Sequence, residues 1–218
     1  MTAGADGQVV VVDAGGVSLE GTLAVPAGAS GLVVFAHGSG SSRHSPRNLE
    51  VAAQLRGAGL GTLLFDLLSP DEDAVDRRTR QLRFDIDLLA RRVVGAVDWA
   101  ASEPETARLR VGGFGASTGA AAALVAAAER PELVHAVVSR GGRPDLAGPH
   151  LPHVQAPTLL IVGGADDVVL DLNREAMAQM TGTGVALEVI PGATHLFEEP
   201  GAMDQVAALT ASFFVRHL

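Results

Sequence analysis

Short apolar runs of β type alternate with longer segments of helical period along almost the whole chain, and this alternation limits the fold more than any other feature. Residues 8–13 and 17–26 read as an antiparallel opening pair. Residues 31–36, 61–66, 109–114, 133–139, 157–162 and 185–190 read as further strands. Between and after them, residues 47–57, 80–102, 118–129, 173–180 and 202–217 carry helical patterns. Parallel strands need long crossovers, and helices fill them, so the expected architecture is α/β: a mostly parallel central sheet with helices on both faces. In such sheets a ligand binds beyond the carboxyl ends of the strands. The length of 218 residues suits a single domain over 1–218.

Composition removes several classes of chemistry. The chain has no cysteine, hence no disulfide, thiolate metal site or cysteine nucleophile. Its 16 basic residues are all arginine, which excludes a lysine Schiff base and the lysine of a Walker-type phosphate loop. A formal net charge of -9 argues against a nucleic-acid partner. The polar, glycine-rich first residues show no leader pattern, and the alanine-rich run 120–128 is too short to span a bilayer, so a cytoplasmic location is expected. His150 and His153, in a proline-rich stretch, do not make a convincing metal pair. No metal or organic cofactor is therefore expected. The segment from Ser69 to Asp73 and the arginine pairs at 77–78 and 91–92 read as solvated surface.

Three loops carry the residue types of acyl transfer. Gly115-Ala-Ser117-Thr-Gly119 matches G-x-S-x-G between an expected strand and an expected helix. The turn there has to be sharp, so small residues flank the serine. The same residues also suit a glycine-rich turn with Ser117 as a helix N-cap. A serine hydroxyl needs a positioned base, and candidates follow in the order Ser, Asp, His. Asp166, in Gly163-Gly-Ala-Asp, follows one strand, and His195, in Gly192-Ala-Thr-His, follows another. Asp166 alone also suits a turn or a helix cap, and Asp167 competes with it. Asp166 is preferred because the valines beyond it, Val168 and Val169, can pack into the core.

The loop Phe35-Ala-His37-Gly-Ser39-Gly40 follows the first parallel strand. Its expected role is the oxyanion hole, formed by the Ser39 N–H together with the Thr118 N–H, with His37 holding the loop. Arg43, Arg140 and Arg143 lie after strands and suit either a substrate carboxylate or nearby loop acids.

These motifs together, with Ser39 to Arg43 extending the first, resemble the dienelactone-hydrolase-like branch of the α/β hydrolases from about Val17 onward. The resemblance implies the α/β-hydrolase fold and a triad of Ser117, Asp166 and His195. One departure stands out: dienelactone hydrolases of this family use a cysteine nucleophile, so this chain resembles a serine-nucleophile branch. The stretch 141–156, where many α/β hydrolases insert a lid, is short, so no cap domain is expected. The expected activity is hydrolysis of a small-molecule carboxylic ester, thioester or lactone through an acyl-enzyme. An acyltransferase or perhydrolase on the same triad, or a non-catalytic binding protein retaining the fold, are the rivals.

Overall fold

The computed structural model describes residues 7–182 and 184–218. The start of the chain read above as polar lies, for residues 1–6, outside them. Strands β1 (Gln8–Asp13), β2 (Ser18–Ala24), β3 (Gly31–Ala36), β4 (Gly61–Phe65), β5 (Arg110–Ala116), β6 (Val134–Arg140), β7 (Thr158–Gly163) and β8 (Val185–Ile190) build one sheet. Its spatial order is β1-β2-β4-β3-β5-β6-β7-β8. β2 runs antiparallel to both β1 and β4, and every pairing from β4 to β8 is parallel.

The helices are α1 (Pro46–Gly57), α2 (Pro70–Thr79), α3 (Ile86–Ser102), α4 (Thr118–Glu129), α5 (Asp167–Gln179) and α6 (Ala202–His217). The central strands are apolar at nearly every position because both faces are covered. In β3, Leu32, Val34 and Ala36 enter the core shared with α3 and α4. Val33 and Phe35 enter the opposite core, shared with α1 and α6, where Phe35 meets Phe114 of β5 at 4.8 Å between ring centres. Among the described residues no helix is long and apolar enough to cross a membrane.

This topology places the site. After β3 the chain crosses to β4 on one side of the sheet, and after β5 it crosses to β6 on the other. A crevice opens where the two windings diverge, between the carboxyl ends of β3 and β5.

Arg92, read as solvated surface, is 6% exposed and reaches Glu72 at 2.8 Å, and three segments also differ from the reading of the sequence. The surface assigned from Ser69 to Asp73 is the first turn of α2, with Ser69 as N-cap, Pro70 in the first turn and Glu72 completing a capping box. The helical pattern over 80–102 is broken: Arg80 ends α2 with φ 57°, a 3-10 turn spans Leu82–Phe84, and α3 starts behind the Asp85 cap. The helix expected at 173–180 begins six residues earlier, immediately after Asp166.

Candidate active site

Ser117 is the single residue between β5 and α4. Its backbone has φ 50° and ψ −121°, a conformation few non-glycine residues adopt. The glycines on each side make the bend possible. A Cβ on Gly115 would lie 2.3 Å from Ala120 Cα, and one on Gly119 would lie 2.2 Å from the Ala36 carbonyl oxygen. The Ser117 side chain makes no capping bond to α4, so the hydroxyl is free for other work.

Asp166 and His195 come together from neighbouring loops. The Ala165 N–H donates to the Ala193 carbonyl at 2.9 Å, tying the loop after β7 to the loop after β8. His195 Nδ1 then lies 2.7 Å from Asp166 Oδ2. An ionised carboxylate only accepts, so the proton sits on Nδ1 and the Nε2 lone pair is left available. Asp166 occupies the N-cap position of α5 yet makes no side-chain capping bond. Asp167 is exposed in the first turn of that helix. The packing argument for Asp166 holds only in half: Val169 is 9% exposed, but Val168 is 73% exposed and faces away from the core. Asp166 is singled out instead by its place as the last residue before the helix, in the loop tied to that of His195.

The segment from Arg140 to Arg143 lies between the serine and the imidazole. The Ser117 N–H donates to the Arg140 carbonyl at 3.3 Å, and the Arg143 N–H donates to the Ser117 carbonyl at 3.1 Å. On the other side, a Cβ at Gly141 would stand 3.6 Å from His195 Nδ1.

His37 holds the loop after β3. Its Nε2 accepts the Leu67 N–H at 3.1 Å. Nδ1 therefore carries the proton and donates to the Gly38 carbonyl at 3.0 Å. Burial pushes the His37 pKa below the usual histidine value, outweighing the Gly38 carbonyl and Asp66, which pull it up. The ring is thus held neutral, as its acceptor role requires. Beside it the loop passes the elbow closely: a Cβ on Gly38 would lie 3.1 Å from Ser117 Cβ. The Ser39 N–H has no acceptor among the described residues. The Thr118 N–H opens α4 and has no acceptor within the helix.

The three arginines divide. Arg43 pairs with Asp66 and reaches Glu20 at 2.8 Å. Arg143 forks onto Asp145 at 2.8 and 2.7 Å. Arg140, 5% exposed, has no carboxylate partner among the described residues. Its Nη2 donates to Asn48 Oδ1 at 3.1 Å, while Nε has no partner. Burial, followed by repulsion from Arg47, lowers its pKa to about 10. His150 and His153 lie on the 3-10 segment Pro144–His153.

Reading the sequence missed the wall that α2 contributes. Asp76, 1% exposed, accepts from the Arg83 backbone N–H at 3.0 Å and from its Nε at 2.6 Å. Burial raises the Asp76 pKa, but these bonds and the Arg83 charge outweigh it and leave the carboxyl below its ordinary value. The signal was present as Ser69-Pro-Asp-Glu72, a capping box with proline in its first turn.

A mostly parallel sheet with a strained serine elbow at one strand end and an Asp–His pair at two others defines an α/β hydrolase. The chain belongs to the dienelactone hydrolase family, whose model matches residues 19–216. It is similar to a crystal structure described as a dienelactone hydrolase from Anabaena variabilis, with 60% identity, a TM-score of 0.95 and 97% of each chain covered. It is also 60% identical over 213 residues to a Mycobacterium tuberculosis protein that carries a provisional phosphoribosyl transferase name. That match takes in 98% of this chain but 47% of the relative, so the chain spans about half the length of that relative. Est1E from Butyrivibrio proteoclasticus shares the fold at 15% identity, with a TM-score of 0.79 over 95% of this chain and 98% of that one.

Proposed function

We propose that this protein is a serine hydrolase that cleaves a carboxylic ester, thioester or lactone through an acyl-enzyme on Ser117. The observation that carries the reading is the 2.7 Å contact of His195 Nδ1 with the Asp166 carboxylate, which leaves Nε2 as the other ring nitrogen, together with a Ser117 elbow whose side chain caps no helix. In the first step Ser117 Oγ attacks the carbonyl carbon while His195 Nε2 takes its proton. Asp166 fixes the tautomer and stabilises the imidazolium. The Ser39 and Thr118 N–H groups receive the oxyanion. His195 returns the proton to the leaving oxygen as the carbon–oxygen bond breaks. Water, activated by the same nitrogen, then releases the acid. Membership of the dienelactone hydrolase family supports the hydrolytic outcome. The transferase name belongs to proteins that this chain covers only in part.

Arg140 is the one of the three arginines without a carboxylate partner among the described residues, and its Nη2 is bonded to Asn48 of α1. Of the three it is the one left to meet a carboxylate of the substrate. The reading as a whole is tested by the kinetics of Ser117→Ala on p-nitrophenyl esters. A loss on the order of 10⁶ in kcat is expected if the triad acts as a unit. An undiminished rate in the purified variant contradicts the mechanism.

A further inference from the structure

A cavity of about 470 Å³ opens beside the oxyanion loop, a size within the roughly 300–1,000 Å³ usual for small-molecule sites. One wall is the segment from Gly38 to Ser42. Leu19 of β2, Leu67 and Leu68 after β4, and Pro70 of α2 also line it, beside Arg83 and several carboxylates. The capping box of α2 and the bonds from Arg83 to Asp76 fix this far wall in place.

The position of the cavity relative to the nucleophile assigns it a role. Ser117 follows β5; β3, β4 and β2 lie on one side of that strand, and β6, β7 and β8 on the other. The cavity lies over the first group, and His195 follows the last strand of the second. The tetrahedral carbon formed on Ser117 Oγ carries an oxyanion, a leaving oxygen and an acyl substituent. The leaving oxygen has to take a proton from His195 Nε2, so the alcohol lies on the β8 side. With the oxyanion at the Ser39 and Thr118 N–H groups, the acyl substituent is directed the other way, past Gly38 and Ser39.

Charge decides what kind of acyl group fits. Of the carboxylates lining the cavity, Asp66 is paired with Arg43, Asp76 with Arg83 at 2.6 Å and Asp73 with Arg77 at 3.2 Å. Glu20 is reached by Arg43 at 2.8 Å. The cations on this side are thus already held by acids, and the remaining surface is mainly apolar. We infer that this cavity is the acyl pocket and that it selects an uncharged, apolar acyl chain of several carbons. This rests on the acyl-enzyme reading above.

The test is a series of p-nitrophenyl esters from acetate to decanoate, with the wild type and with Leu68→Trp and Leu68→Ala. In the wild type kcat/KM is expected to rise about 3–4-fold per methylene over the first few carbons. Leu68→Trp narrows the cavity and is expected to lower the octanoate-to-acetate ratio at least tenfold. Leu68→Ala, which serves should the tryptophan variant not fold, shifts the optimum to longer chains. A p-nitrophenyl hydrogen glutarate is expected to react more slowly than the valerate. A wild type that is labelled at Ser117 by a fluorophosphonate yet shows a flat chain-length profile overturns the pocket assignment alone. So does a response confined to acetates of differing alcohol length. A wild type that neither labels nor turns over any ester overturns the parent reading instead.

Discussion

Ser117, Asp166 and His37 each hold a conformation or a protonation state that a solitary residue would not choose. For Ser117 this is a positive φ, sustained by backbone packing at Gly115 and Gly119. For Asp166 it is the omission of a helix cap in favour of an imidazole. Exchanging Asp166 for Asn is expected to lower kcat by several orders of magnitude, because the amide no longer fixes the Nδ1–H tautomer. Asp167→Asn, on an exposed residue, is expected to change it less than threefold, and steady-state kinetics of the two variants decides between them. For His37 the sign of a pH effect follows from its lowered pKa. The unfolded chain binds a proton at this residue near pH 6.5, and the folded chain only at lower pH. The unfolded state is therefore favoured as pH falls below about 6.5, down to the folded pKa. Urea unfolding at pH 7.5 and 5.0 is expected to show a loss of stability that is smaller in His37→Asn. An equal loss in both would assign the effect to other groups.

Strands and helices were legible in unequal measure. The buried strands β3, β5 and β7 announce themselves as apolar runs ending in glycine or histidine loops. The helix α4 follows from its alanine run. The helix α2 did not, because its residues are mostly charged and carry no apolar period, and only its cap betrays it. The start of α5 was missed because its first turn, Asp167–Leu170, mixes exposed and buried residues without a clear period. The proposed triad residues were readable because their motifs follow strand ends in chain order, whereas the cavity wall depends on α2, held by the Asp76–Arg83 pair. That wall makes a prediction of its own. Asp76→Ala removes the acceptor for Arg83 and leaves a largely buried cation, so a loss of about 3 kcal/mol is expected in urea unfolding. A loss below about 0.5 kcal/mol would show that α2 is held by other means.

At the scale of the molecule, one sheet divides the labour. The loops after β7 and β8 carry the proposed acid and base, and the β2 side carries the loop after β3 and the cavity. The serine stands at the junction of the two windings, where the fold itself opens a crevice. The junction itself comes from the topology, because the sequence reading placed the motifs at the carboxyl ends of strands but gave no strand order. It did not anticipate the cavity, whose lining comes from β2, α2 and the residues after β4. The central claim is that Ser117 is the nucleophile and that the site around it is assembled. Treatment of the full chain with a fluorophosphonate, followed by peptide mass mapping, tests it most directly. One adduct is expected, on Ser117, in the wild type, none in Ser117→Ala, and greatly slowed labelling in His195→Ala. An adduct on another residue, or labelling that persists unchanged in Ser117→Ala, would contradict it.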